Sequence, residues 1–285
     1  MKEKKTDFLN KFWRVFVIES FLFSLTLVLG IATAHKSHQI VIIQKIEIPQ
    51  VSFWQFIVQF FIATIFILLI IRITKFRKQK ELIFRALFVL AVFSGGFLLL
   101  SIWFSGIIPL VLIIALIVSW WKKPSILLQN ACVILAIAGI GSVLGPSFNP
   151  ETITAFLIIF SIYDVIAVYK TKHMVEMAKE MIKSRAILGL VIPPNIFGFS
   201  ESLKNIEVGG KFLVLGGGDI IFPLLLCSSL IPFGLLKSLI VGFFSLIGLL
   251  VSFYLFLSQK KRRPIPALPP IALFSIIGFL IVKIL

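Results

Sequence analysis

The sequence predicts an all-α polytopic membrane protein with nine transmembrane helices, its N-terminus inside and its C-terminus outside. Three observations predict it. First, 59% of the 285 residues are hydrophobic and 14% are charged, with a mean hydropathy of +1.08. Soluble domains run at about 45–50% apolar and about 25% charged. Second, the apolar residues gather in nine runs, most of them close to the ~20 residues that cross a bilayer. Third, Lys and Arg are sorted between alternate connections. With the N-terminus inside, the inner segments hold 24 of the 28 cations, and only Lys36, Lys45, Lys237 and Lys283 fall at outer positions. That asymmetry is the signature of membrane orientation. It also accounts for the net charge of +16 without nucleic acid.

The nine runs lie at about 14–34, 52–71, 83–104, 107–121, 126–148, 151–170, 212–231, 233–258 and 264–284. The first follows Lys2, Lys4 and Lys5 and ends at Ala32-Thr33-Ala34, a small-x-small pattern like that of a signal peptide. Its apolar stretch exceeds the 7–15 residues of a signal core, so a retained span is expected. The third and fourth form one nearly continuous stretch, too long for one crossing, and Gly106 and Pro109 mark the break. Between the sixth and seventh lies the longest polar stretch. It divides the chain into a six-helix part (1–170), a cytoplasmic loop (171–211) and a three-helix part (212–285). Within the loop, Val175 to Ile182 reads as an amphipathic surface helix, and Pro193-Pro194 breaks the chain after it. Cys132 and Cys227 sit inside apolar runs and form no metal pair. His35 and His38 read as loop residues rather than ligands, so neither metal nor cofactor is expected.

Three of the twelve acids fall in the interior of spans: Glu19, Asp164 and Asp219. An ionisable residue at that depth costs at least ~2.5–3.5 kcal/mol and is a functional candidate by default. Glu19 follows Arg14 by five residues and reads as an interface acid that pairs with Arg14 or reaches the head groups. Asp164 and Asp219 differ. Asp164 lies six residues before Lys170, about 9 Å deep, and Asp219 eight residues after Lys211, about 12 Å deep if helical. Two carboxylates at one depth on consecutive spans suit an acid–base pair, because in a low-dielectric site one keeps its proton. The ionised partner activates water, and the protonated one donates to the scissile carbonyl. Gly216-Gly217-Gly218 before Asp219 and Pro223 after it loosen the helix. An open backbone there could pair with an extended substrate by strand addition. The ninth run opens Pro264-Ile265-Pro266-Ala267-Leu268-Pro269-Pro270, a rigid non-helical start at membrane depth. Such backbone is tolerated where it lines a cavity.

With these residues in place the sequence resembles the presenilin and signal peptide peptidase family. Ile162-Tyr163-Asp164-Val165 looks like its YD motif, Gly216-Gly217-Gly218-Asp219 its GxGD motif, and Pro266-Ala267-Leu268 its PAL motif. The resemblance implies an intramembrane aspartyl endopeptidase that cuts transmembrane helices of other proteins. Asp164 and Asp219 would be its catalytic pair, with Tyr163 beside the first aspartate. Gly216, Gly217 and Gly218 would shape the cleft, and Pro266, Ala267 and Leu268 would support the site and place substrate. An inside N-terminus is similar to presenilin, and implies substrates whose N-terminus lies outside. The 171–211 loop is short beside that of animal presenilins, which speaks against activation by self-cleavage. The small size is similar to microbial homologues that act without partner subunits, and the richness in Ile, Phe and Lys fits a prokaryotic, archaeal cell membrane. Gly141-Ser142-Val143-Leu144-Gly145 is a small-xxx-small contact read as intramolecular, which leaves a homo-oligomer open. The alternatives are a prepilin-peptidase-like GxGD protease, an ion or proton transporter or leak channel using the same acids, and an inactive scaffold.

Overall fold

The computed structural model describes residues 2–45, 47, 49–73, 77–171, 173–207, 210–259 and 264–284. The basic cluster at 260–263, together with Lys75 and Lys172, lies outside the described residues. Ten α-helices follow in order: α1 (Lys2–Gln44), α2 (Phe53–Ile73), α3 (Arg77–Trp103), α4 (Ile108–Lys122), α5 (Ile126–Leu144), α6 (Pro150–Val165), α7 (His173–Ser184), α8 (Gly217–Ser229), α9 (Leu235–Leu257) and α10 (Leu268–Ile284). Two short strands, β1 (Gly189–Ile192) and β2 (Leu213–Gly216), lie between α7 and α8. Among the described residues, five helices are long and apolar enough to cross a membrane, within α1, α3, α5, α6 and α9. Shorter apolar helices lie in α2, α4, α8 and α10. Apolar side chains such as Phe66, Val111, Phe243 and Leu280 are exposed, as a lipid-facing surface requires.

The helix breaks follow local chemistry. Gly106, at φ +68°, turns the chain after α3, and Pro109 opens α4 where its missing N–H costs nothing. Pro150 opens α6 in the same way as Pro109, after Asn149 at the N-cap. α1 differs from its sequence reading. It runs for 43 residues without a break, about 64 Å, through Ala34 to Gln44. His35 and His38 are therefore helical rather than in a loop, and Gln39 Nε2 lies 3.1 Å from His35 Nε2.

α5 sits at the centre of the bundle, against α1, α3, α8 and β1. Its small-xxx-small pair faces α8: a Cβ on Gly141 would meet the Leu224 side chain at 2.6 Å, and one on Gly145 would meet Ser228 Cβ at 2.3 Å. This pair serves packing within the chain. α9 and α10 pack closely, with Ser245 and Ser275 hydroxyls 2.8 Å apart between them. α2 lies along α6 through aromatic contacts, Phe56 on Phe156 and Phe60 on Phe160.

The strands change the expected seventh segment. Residues 213–216 are extended rather than helical, and α8 begins only at Gly217. Asp219 is therefore not eight helical residues from Lys211, and a depth counted on that basis does not hold. The β1–β2 pair is antiparallel, with Gly189 opposite Gly216 and Val191 opposite Val214. Asn130 of α5 covers the far edge of β1. Its Nδ2 donates to the Val191 carbonyl at 2.8 Å, and its Oδ1 accepts from the Val191 N–H at 2.8 Å.

Candidate active site

Asp164 lies in the last turn of α6 and is 5% exposed. The helix widens immediately after it into a single π-type turn, Ile166–Lys170, a distortion that recurs at functional sites. Asp219 is the third residue of α8 and is half-buried. Gly216 is the N-cap of that helix, and the Asp219 carboxylate folds back against the Gly216 backbone. This is the acidic half of a capping box.

The three glycines have separate structural reasons. A Cβ on Gly216 would come within 3.0 Å of Asp219 Oδ2, crowding the carboxylate. One on Gly217 would come within 3.0 Å of the Leu188 carbonyl, which accepts the Gly217 N–H. Gly218 is exposed, and with Gly217 it lines an apolar cavity of about 210 Å³ walled by α3 and α5 residues such as Val92 and Ile137.

α6 and α8 are held at one level by a ring stack. Phe160, one turn before Asp164, lies 4.6 Å from Phe222, three residues after Asp219. The two carboxyl groups are close enough for their charges to interact. No salt bridge reaches either of them among the described residues.

The proline-rich start of α10 closes the arrangement. Residues 264–267 are non-helical, and α10 begins at Leu268. Two of the four prolines, Pro269 and Pro270, thus occupy the first turn of the helix. There they remove two of the four N–H groups that a helix start leaves unpaired. The Leu268 N–H is one of those that remain, and it donates to Asp164 Oδ2 at 3.4 Å in a buried setting. Leu268 is itself buried, and Ala267 packs against the core. Pro266 is half-buried. Tyr163 turns outward, 46% exposed, rather than packing into the interior beside Asp164.

Glu19 corrects the sequence reading. It is 3% exposed, its Oε2 is buried without a hydrogen-bond partner, and Arg14 is exposed without pairing to it. It faces the bundle and lies near enough to Asp219 for their charges to interact. Proximity to Arg14 in sequence hid this, because residues five apart lie on different faces of a helix. The strands were hidden as well. Leu213–Gly216 reads as part of an apolar run, although a short apolar run bounded by glycines is also compatible with a strand.

Residues 13–285 match the family model for signal-peptide peptidase, presenilin aspartyl protease. None of the curated proteins matches the chain by sequence. Two solved structures of presenilin family intramembrane aspartate proteases share the fold. The one in space group C222 is 22% identical with a TM-score of 0.61, over 94% of this chain and 97% of that one. The other, in space group P2, is 22% identical with a TM-score of 0.59, over 92% and 96%. With a family match over nearly its whole length and membrane-spanning helices arranged in that fold, the chain belongs to the signal-peptide peptidase and presenilin family of aspartyl proteases.

Proposed function

We propose that the protein hydrolyses peptide bonds inside transmembrane segments of other membrane proteins, with Asp164 and Asp219 as its acid–base pair. The observation that carries this is their placement. Consecutive membrane helices bring the two carboxyl groups into interaction range, beside a strand with one open edge. The ionised carboxylate takes a proton from a water molecule, and the water oxygen bonds to the scissile carbonyl carbon. The protonated carboxyl gives its proton to the carbonyl oxygen, forming a neutral gem-diol. Collapse of the diol breaks the C–N bond, and the amine leaves with a proton from the pair.

The strand edge supplies what a helical substrate lacks, a partner for an unwound backbone. The Gly217 N–H donates to the Leu188 carbonyl, so those two residues form a hydrogen-bonded pair. In an antiparallel ladder such pairs alternate with unbonded ones. Leu190–Leu215 is then bonded and Val191–Val214 is not, in agreement with Asn130 taking both polar groups of Val191 from the other side. The N–H and carbonyl of Val214 therefore face the edge where no strand pairs among the described residues. A substrate unwound near the aspartates can add there.

In the topology proposed here the chain crosses the membrane nine times with its N-terminus inside, and β2 runs from the inner side toward Asp219. An added antiparallel strand would run from outside to inside, which suits substrates with an external N-terminus. Gly216–Gly218, Pro266–Leu268 and the exposed Tyr163 are the residues proposed to shape the cleft and meet the substrate. No obligatory partner subunit or cofactor is required by this chemistry. No observation at the site favours a prepilin-peptidase-like enzyme or a transporter.

The test is a cleavage assay with purified protein in detergent and a single-span substrate, with wild type beside Asp164→Ala and Asp219→Ala. Cutting by the wild type alone, blocked by a non-hydrolysable mimic of the gem-diol, is the expected result. Equal cutting by either variant would overturn the assignment.

A further inference from the structure

Apart from the two aspartates, on the side of the fold where the 171–211 segment lies, a cavity of about 210 Å³ opens between the start of α3, the end of α4 and the chain after α7. Four cations converge on it, Arg85, Lys122, Arg185 and Lys204, beside Trp120 and Trp121. No acid lines it, and none of the four cations is paired with a carboxylate among the described residues.

The walls are fixed. Trp120 is buried, donates from Nε1 to Gln129 Oε1 at 2.8 Å and packs on Phe88 with ring centroids 4.6 Å apart. Arg85 donates from Nε to the Ser184 carbonyl at 3.0 Å, and its guanidinium lies 5.9 Å from the Trp121 ring centre. One edge of the guanidinium is thereby anchored, which leaves its terminal N–H groups for another acceptor. Arg185 holds a φ of +57°, in the left-handed region that residues other than glycine seldom occupy.

Membrane orientation explains why these residues are basic. It does not explain why four of them, from four separate segments, point at one cavity with an aromatic wall. Like charges gathered without counter-charge repel one another, and an anion shared between them relieves that. An arginine fork matches the oxygens of a phosphate, and lysines add point charge. Tryptophan is at home at head-group level, and basic pockets between helices on the inner side take anionic head groups.

We propose that this cavity binds a phosphate ester, supplied either by an anionic phospholipid of the inner leaflet or by a soluble metabolite. Occupancy would steady the chain leading into β1. Arg85 holds the Ser184 carbonyl and Gln129 holds the Ile187 carbonyl, two residues before the strand begins. The site shares no residue with the proposed aspartate centre, so its test is independent of proteolysis.

The purified full-length chain in a neutral detergent is titrated with short-chain phosphatidylglycerol, with glycerol 3-phosphate, and with diacylglycerol as the uncharged control. Thermal midpoint and tryptophan fluorescence are followed in wild type and in a Lys122→Gln/Lys204→Gln double variant. Both lysines are exposed, and the ligand-free midpoint checks that the variant folds. A saturable rise in midpoint with phosphatidylglycerol alone identifies a lipid. The same rise with glycerol 3-phosphate identifies a soluble ester. In either case the double variant should bind about thirtyfold more weakly, and Lys122→Arg/Lys204→Arg should bind like wild type. An equal response in wild type and the Gln variant would show diffuse attraction to a chain of +16 and overturn the site. So would a response matched by diacylglycerol, or none to any ligand.

Discussion

The backbone N–H of Leu268 donates to Oδ2 of Asp164, at 3.4 Å and across 104 residues of sequence. A helix start made of prolines thus hands one of its few remaining N–H groups to a proposed catalytic carboxyl. Leu268→Pro removes that donor, whereas Leu268→Met keeps both the donor and an apolar side chain of similar volume. Turnover of a single-span substrate should fall about tenfold in the first variant, the lower end for a hydrogen bond to an ionisable group. It should stay near wild type in the second. Equal activity would show that the amide does not act on Asp164.

Asp164→Asn and Asp219→Asn preserve shape and remove the acid–base function. Each should lower the cleavage rate at least about a hundredfold, with a thermal midpoint close to wild type. The wild-type rate should trace a bell against pH, because one carboxyl must be ionised and the other protonated in the same cycle. A flat profile would contradict the shared-proton mechanism.

Val214 presents its N–H and carbonyl to the open edge of β2, outside the bonds that join β2 to β1. Val214→Pro therefore removes a group offered to substrate without cutting the ladder. Cleavage should drop while the fold, followed by circular dichroism and thermal midpoint, holds. Leu215→Pro is the contrasting variant. Its N–H belongs to a bonded pair, so stability and activity should fall together.

Asn130 is 2% exposed and satisfies both backbone groups of Val191. Asn130→Leu would leave a buried N–H and a buried carbonyl without partners, at a cost of about 2–6 kcal/mol. Chemical or thermal unfolding measures this directly, and a variant as stable as wild type would mean that water or a local shift replaces the amide.

Glu19 is 3% exposed with an unpaired carboxyl oxygen. Removing a buried polar group that lacks a partner relieves its desolvation penalty. Glu19→Leu should therefore raise stability by about 1–3 kcal/mol. A loss of stability would point to a hydrogen bond formed by Glu19 in the folded protein.

Much of this architecture was legible from hydropathy alone, because membrane helices must be apolar for about 20 residues and their connections need not be. α4 was placed within a residue at each end by Pro109 and Lys122. The acids Asp164 and Asp219 stood out for the same reason, since apart from Glu151 and Lys170 at the two ends of the sixth run every other residue in their segments is uncharged. The exceptions share one physical cause. Leu213–Gly216 is as apolar as a helix, so a scale that counts transfer energy cannot tell a strand from the segment it leads into. The burial of Glu19 depends on which face of α1 meets the bundle, and a helix exposed to lipid on one side shows little polar contrast to reveal it. The π-type turn after Asp164 leaves no compositional mark.

Asn130 closes one side of the two-stranded sheet with a side chain, so the sheet can lengthen in one direction only. On its open side Val214 offers a single pair of backbone groups, worth about 1 kcal/mol each. So small a handhold cannot spell out a sequence. The choice among membrane helices would fall instead to their own stiffness: those that unravel at low cost reach the aspartates, and those that stay wound pass by uncut.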